Sequence, residues 1–380
     1  MPINEPKDKK ENSKLEKLEE EQLNVASPKQ IMFWKFKQHK LAVIGLIIIV
    51  IFYGIAVFAD FIAPYGLRER TGNPYATITR PRIVGEDGLQ RPFVYGITGS
   101  VDPDTFQRIY ETDYNETYNI EFFVRGHTYK ILGLFETDLH LFGVPDEGGE
   151  VFLMGTDRLG RDMFSRVLYG ARISLSIGLV GVILSTIIGV TLGGLSGFYG
   201  GWVDNLIQRL IETLRSFPTI PLWMGLAAAL PDSWGPVQVY FGITIILSVV
   251  GWTRLAREVR GRILSLRDED FVLAAKFSGA KNSRIIGKHL IPSFTSHIIA
   301  SLTLAIPRMI LAETSLSFLG IGLSAPVVSW GVLLQQAQNV YTISMAPWLM
   351  LPGLFVVVAV LAFNFFGDGL RDAADPYSNM

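Results

Sequence analysis

Few residues in this chain have the type and spacing to do chemistry. The five histidines, His39, His127, His140, His289 and His297, are too scattered to suggest a metal cage. The absence of cysteine removes thiol catalysis, disulfides, zinc–thiolate sites and iron–sulfur clusters. One string is reminiscent of a phosphate-binding loop, Gly279 followed by Gly287-Lys288-His289. It has seven residues between its glycines where such a loop has four, and no Ser or Thr follows the lysine, so it cannot cradle phosphates. What remains are charges in unusual places. Arg308 and Glu313 interrupt apolar sequence, where a charge is costly unless paired or wet. They suit a polar lining that meets a passing solute, or equally a structural salt bridge or a position near a membrane interface. Asp157, Arg158, Arg161 and Asp162 suit an outer gate or a docking surface for another protein, or a plain helix start capped by Thr156 and Asp157. Arg209 and Glu212, three residues apart, suit an intrahelical pair.

The elements that must position these groups are apolar. The chain has 380 residues, of which 18% are charged and 49% hydrophobic, with a formal net charge of −1 and a mean hydropathy of +0.32. Soluble domains average ~25% charged residues, so the deficit points to a bilayer protein. The near-zero net charge gives no argument for nucleic acid as a partner. Residues 41–59 carry no charge and suffice to cross ~30 Å of hydrocarbon. Lys35, Lys37 and Lys40 precede them, which places the N-terminus in the cytoplasm by the positive-inside rule. The preceding segment is too long and too acidic for a signal peptide, so this first helix is expected to be retained.

Further spans are expected from the uncharged run 173–203, ending near Phe198, from 206–230, from 237–252, and from 292–311, which Pro307-Arg308 interrupts. The uncharged stretch 314–367 is too long for one crossing. It is expected to break into a short re-entrant piece and a final helix over 347–366. Between the first two spans, residues 60–166 have no spanning run and recurring Pro, Gly and aromatics. Segments 118–124 and 129–135 have strand composition, with Arg125-Gly126-His127 as the turn between them. The expected fold is thus an all-α polytopic membrane protein of six transmembrane helices with both termini inside. A small β-rich extracellular insert lies between helices 1 and 2. In domain terms this gives a cytoplasmic tail over 1–40, disordered in its Glu/Lys-rich first thirty residues. The first helix follows at 41–59, the insert at 60–166 and the main transmembrane domain at 167–380, with a basic cytoplasmic loop over 254–292.

That loop is the most informative segment. It carries Leu273, Ala274, Ala275, Lys276, Gly279 and Ala280, then His289 and Pro292: a short helix, a glycine corner, and a second short helix stopped by proline. Its small residues would let another protein's backbone approach closely. The spacing resembles the EAA loop of ABC-importer permeases; Ala274, Ala275, Gly279, Ile291 and Pro292 match, while Leu273 stands where Glu is usual and His289 where Ile is usual. The His-x-x-Pro ending is similar to the oligopeptide/dipeptide branch. Resemblance to that branch's C-type permease subunit extends over 155–162, 313–320, Ser329-Trp330-Gly331 and 367–372.

The resemblance implies half of a translocation pathway for oligopeptides or dipeptides in a bacterial or archaeal plasma membrane. The partners it implies are a homologous permease, two cytoplasmic ATPase subunits docked on the loop around 271–292, and an extracellular solute-binding protein. ATP and Mg would be used by those ATPases, with no cofactor bound by this chain and no catalysis in it. It also favours an outer-gate or binding-protein role for the 157–162 cluster. Arg308 and Glu313, as ionisable residues in or near a span, are pathway or gate candidates together with Ser317 and Trp330. The same architecture carrying oligosaccharides or nickel is an alternative. A membrane-anchored ligand sensor using 60–166 is a rival of another class, but it would not need the basic Ala-Ala-Gly loop.

Overall fold

The computed structural model describes residues 28–374 apart from 86–87, 104–107, 132 and 147. Helix α1 (Pro28–Gln38) leads into α2 (Lys40–Val57) through His39, whose Nδ1 accepts the Ala42 N–H at 3.1 Å and caps α2. Residues 28–38 thus depart from the expected tail. Phe36 and Met32 give α1 an apolar side that packs on Phe366 and Leu370, and that burial offsets the cost of ordering. The remainder of the expected tail, 1–27, lies outside the described residues.

The insert holds a three-stranded antiparallel sheet, β1 (Arg82–Gly85), β2 (Gly88–Val101) and β3 (Arg108–Asn119). Beside it is a hairpin of β4 (Glu121–Ile131) and β5 (Phe135–Gly143). The expected turn at Arg125-Gly126-His127 is instead a bulge inside β4, where the register with β5 shifts between Arg125 and Tyr129. His140 fastens this hairpin to the end of the first span. Its ring nitrogens lie 2.9 Å from the Ala63 carbonyl and 3.0 Å from the His127 carbonyl.

After the insert come α3 (Met163–Tyr199), α4 (Gly201–Ser216), α5 (Thr219–Ala228), α6 (Pro236–Leu266), α7 (Asp270–Phe277), α8 (Thr295–Phe318), α9 (Trp330–Gln335) and α10 (Leu351–Ala374). Among the described residues, five helical segments are long and apolar enough to cross a membrane: Lys40–Val57, Met163–Tyr199, Pro236–Leu266, Thr295–Phe318 and Pro347–Ala373. Two expectations need correction. The span expected over 206–230 is split into α4 and α5, because Phe217 precedes Pro218 and takes an extended conformation with ψ 141°. Pro307, expected to interrupt its span, sits inside an unbroken α8, as proline often does in transmembrane helices.

The bundle is built around α3. On one of its faces Gly189, Gly193 and Gly197 recur every fourth residue against α6. A Cβ at Gly189 or Gly197 would meet the carbonyls of Trp252 or Arg260 at 3.0 and 2.9 Å. Without a hydrophobic driving force between helices in lipid, such close backbone approach is what holds a pair together. Gly197→Leu is therefore expected to separate α3 from α6, with a loss of thermal stability in detergent that Gly287→Leu, at an open site, does not share. Another face of α3 takes α8, with Met309 against Gly181 and Ile310 against Gly178. The chain's two ends of the bundle are distinct. One joins His39 to Asp372 at 3.9 Å and Arg260 to Asp204 at 2.5 Å. The other joins Arg172 to Asp60 at 2.8 Å and carries the insert.

Candidate functional site

The loop after α6 folds back on itself as the sequence suggests, except that its second helix is not stopped by Pro292 but runs through it to Ser293, just before α8 begins at Thr295. Val272, Ile285 and Leu290 are buried with Leu255, Val259, Ile263 and Phe294, which fixes the loop to the end of α6 and the start of α8. Gly279 ends α7 with φ +75°, a backbone state that costs other residues ~1–2 kcal/mol. Lys276 turns back, its Nζ donating to the Arg267 carbonyl at 3.3 Å and lying 5.7 Å from the Phe198 ring centre. The outer side of the loop presents Ala274, Gly279, Lys288, His289 and Pro292 to solvent, while Leu273, Ala275 and Ala280 are half-buried. Phe277, absent from the sequence candidates, is 89% exposed there. Small residues at motif spacing do not point to it. Its signal is an aromatic residue at the last position of a short helix, directly ahead of Ser278 and Gly279.

Arg308 and Glu313 do not pair. Arg308 is exposed on α8 and opens onto a cavity of about 370 Å³ shared with Arg254 and Glu258 of α6. Glu258 accepts Arg254 Nε at 3.0 Å and Ser301 Oγ at 2.9 Å. Glu313 is fully buried in a cage of three hydroxyls. Ser329 Oγ donates to its Oε1 at 2.6 Å, Ser317 Oγ to the same oxygen at 2.8 Å, and Ser174 Oγ to Oε2 at 3.2 Å. Each serine also accepts a backbone N–H: Ser317 from Leu323, Ser174 from Trp330, Ser329 from Val332. The carboxylate thus ties α3, α8 and the 319–332 segment together through three relays. Trp330 is buried beside it, Nε1 donating to the Val167 carbonyl at 3.1 Å. Of the four residues expected in the pathway, Glu313, Ser317 and Trp330 belong to this closed knot and Arg308 to the cavity.

The 157–162 cluster is a second knot. Asp157, fully buried, accepts Arg161 Nε at 2.8 Å, the N–H groups of Leu159 and Arg161, and Nη1 of buried Arg166. Burial alone would raise its carboxyl, but the hydrogen bond from Arg161 and the Arg166 charge hold it below the usual range. The helix cap is Asp162, accepting the Ser165 N–H at 2.7 Å, and not Thr156 or Asp157. Burial pushes Asp162 up to about 7. Thr156 instead bonds Asn73 and Ala76, and its carbonyl accepts Trp348 Nε1 at 2.9 Å. Only Arg158 of the four candidates is open to solvent. The geometry is therefore that of a brace between the insert, α3 and the start of the last span.

Residues 189–377 match the family of binding-protein-dependent transport system inner membrane components, and 27–78 match the N-terminal transmembrane domain of oligopeptide transport permease C. A dipeptide transport system permease from Alkalihalophilus pseudofirmus is 34% identical over 94% of this chain and 92% of its own length. In Bacillus subtilis, a dipeptide permease is 42% identical over 58% of this chain and 68% of its own, and an oligopeptide permease 40% identical over 58% and 70%. Among solved structures, an inward-facing MetNI methionine ABC transporter chain aligns over 56% of this chain and 97% of its own, with 18% identity and a TM-score of 0.44. The near full-length kinship and the two matched segments together establish that this multi-pass membrane protein belongs to the dipeptide/oligopeptide permease C family of binding-protein-dependent ABC importers.

Proposed function

We propose that the chain forms half of the translocation pathway of an ATP-driven importer for oligopeptides or dipeptides. It would work beside a homologous permease, two cytoplasmic ATPase subunits using ATP and Mg, and an extracellular solute-binding protein. The likeness over nearly the whole chain to a permease named for dipeptide transport carries this reading. In it the bundle makes six passes, α4 and α5 forming the second pass of the main domain, with both termini and the 254–292 loop in the cytoplasm. The 60–166 insert lies outside, where Arg158 is available to a binding protein. Five arginines between Arg254 and Arg267, followed by Lys276, Lys281, Arg284 and Lys288, support that orientation.

ATPase docking is assigned to the exposed side of the loop, with Phe277 as its anchor. Aromatic side chains at the centre of an interface commonly contribute 2 kcal/mol or more, ~30-fold in affinity. ATP binding can shift the permease only if the ATPases hold this loop differently in their two nucleotide states. Phe277→Ala should therefore abolish most ATP-dependent uptake of a labelled dipeptide in proteoliposomes while leaving the chain folded. Gly279→Asp should do the same: no atom of the described residues lies within 4 Å of a Cβ there, and the φ of +75° adds a local backbone cost of ~1–2 kcal/mol. Co-purification tests the assembly directly: a folded chain that retains no ATPase partner, or full uptake by both variants, refutes the assignment.

A further inference from the structure

The cavity beside Arg308 is charged where a bundle interior is normally apolar. Arg215, Arg254, Arg308 and Arg371 line it with a single carboxylate, Glu258. That carboxylate is already engaged by Arg254 and Ser301, with His297 Nε2 at 4.0 Å. Arg308 makes no hydrogen bond or ion pair among the described residues, although it lies within electrostatic reach of both Arg254 and Glu258. An exposed guanidinium near the middle of a membrane span is costly against lipid, so this face of α8 is turned to water or protein. The excess positive charge needs an anion, and a planar guanidinium is matched to a carboxylate, which it can hold through two parallel hydrogen bonds. The volume falls within the ~300–1,000 Å³ of small-molecule sites. Much of its remaining wall, including Trp223, Leu247 and Met309, is apolar, beside the hydroxyls of Ser185, Thr186, Thr219 and Thr253.

We propose that Arg308, backed by Arg254 and Arg371, is a carboxylate-binding station in the pathway, occupied by the C-terminal carboxylate of a peptide as it passes. This rests on the peptide-import reading above. The station is open, so it binds weakly enough to release its cargo, as conduction requires. Such a grip would not depend on peptide sequence, because it takes the group that all peptides share.

The test uses the intact importer with its binding protein in proteoliposomes, with tri-alanine and tri-alanine amide as probes. Each is supplied at saturation, so that kcat and not binding-protein affinity is read. Losing a charge-assisted contact should lower kcat for the free acid by about tenfold or more in Arg308→Gln. The amide should change little, so the acid-to-amide ratio collapses toward one, and Arg308→Lys should restore part of it. An unchanged ratio, an equal slowing of acid and amide, or an Arg308→Gln chain that no longer co-elutes with its partners would each overturn the station. Failure of the peptide reading looks different: the wild-type importer takes up neither probe.

Discussion

Glu313→Ala is expected to lower the stability of the purified chain by at least ~3 kcal/mol and to expose the 319–335 segment to protease. Three serine hydroxyls point at this carboxylate, and each loses its acceptor in the variant. A buried donor left without a partner costs ~1–3 kcal/mol. The loss does not stop at the hydroxyls, because each serine also holds a backbone N–H of the segment beyond α8 or of α9. Glu313→Gln separates geometry from charge. Its carbonyl can keep the bonds to Ser317 and Ser329 while its amide faces Ser174, so one relay is disturbed and two are kept. It also removes a buried ionisable group for which no cation partner is found among the described residues. If acceptor geometry is the role of Glu313, Gln should cost ~1 kcal/mol and leave transport largely intact. A Gln variant as unstable as Ala would show that the charge itself holds the knot.

That network was not legible in the sequence, whereas much of the scaffold was. Long uncharged runs locate the first helix and the start of the final one to within a few residues, because the length needed to cross hydrocarbon leaves little freedom, although α10 continues past the expected end at 366 to Ala374. The end of α3 at Tyr199 followed from Gly200-Gly201, where φ values of 63° and 55° suit glycine. The failures share a cause. Whether proline breaks a helix depends on its neighbours: Pro218 follows a residue free to extend, while Pro307 is buried between packed helices. Ser174, Ser317 and Ser329 are far apart in sequence and ordinary in type, so only tertiary packing reveals them as one cage. Arg166 was likewise passed over beside Arg161, although it is the residue that is nearly inaccessible. The loop was legible as a motif, but its burial pattern was needed to find Phe277.

Asp157→Ala should be the second severe substitution, and its companions distinguish a brace from a contact surface. The variant strips the partner from Arg166, whose side chain is 2% exposed, and breaking one side of a buried pair typically costs ~3–5 kcal/mol. Asp157→Leu combined with Arg166→Met removes both charges and should recover part of that loss, since an apolar pair carries no desolvation penalty. Recovery will be incomplete, because the Leu159 and Arg161 N–H groups still lose their acceptor. Acid titration adds an independent check, with two carboxylates acting in opposite directions. Asp157 is depressed in the folded chain, so its stabilisation is present above the ordinary carboxylate value near 4 and is lost as pH falls through its lower folded value. Asp162 is raised to about 7, so its contribution is full below ~4 and is lost as pH rises through 7. Wild-type stability should therefore decline on both sides of mildly acidic pH. Asp157→Asn should flatten the limb below pH 4 alone, and Asp162→Asn the limb between 4 and 7 alone. A surface cluster that merely meets a binding protein would show neither limb, and Asp157→Ala would then weaken binding-protein stimulation while leaving the melting temperature where it was.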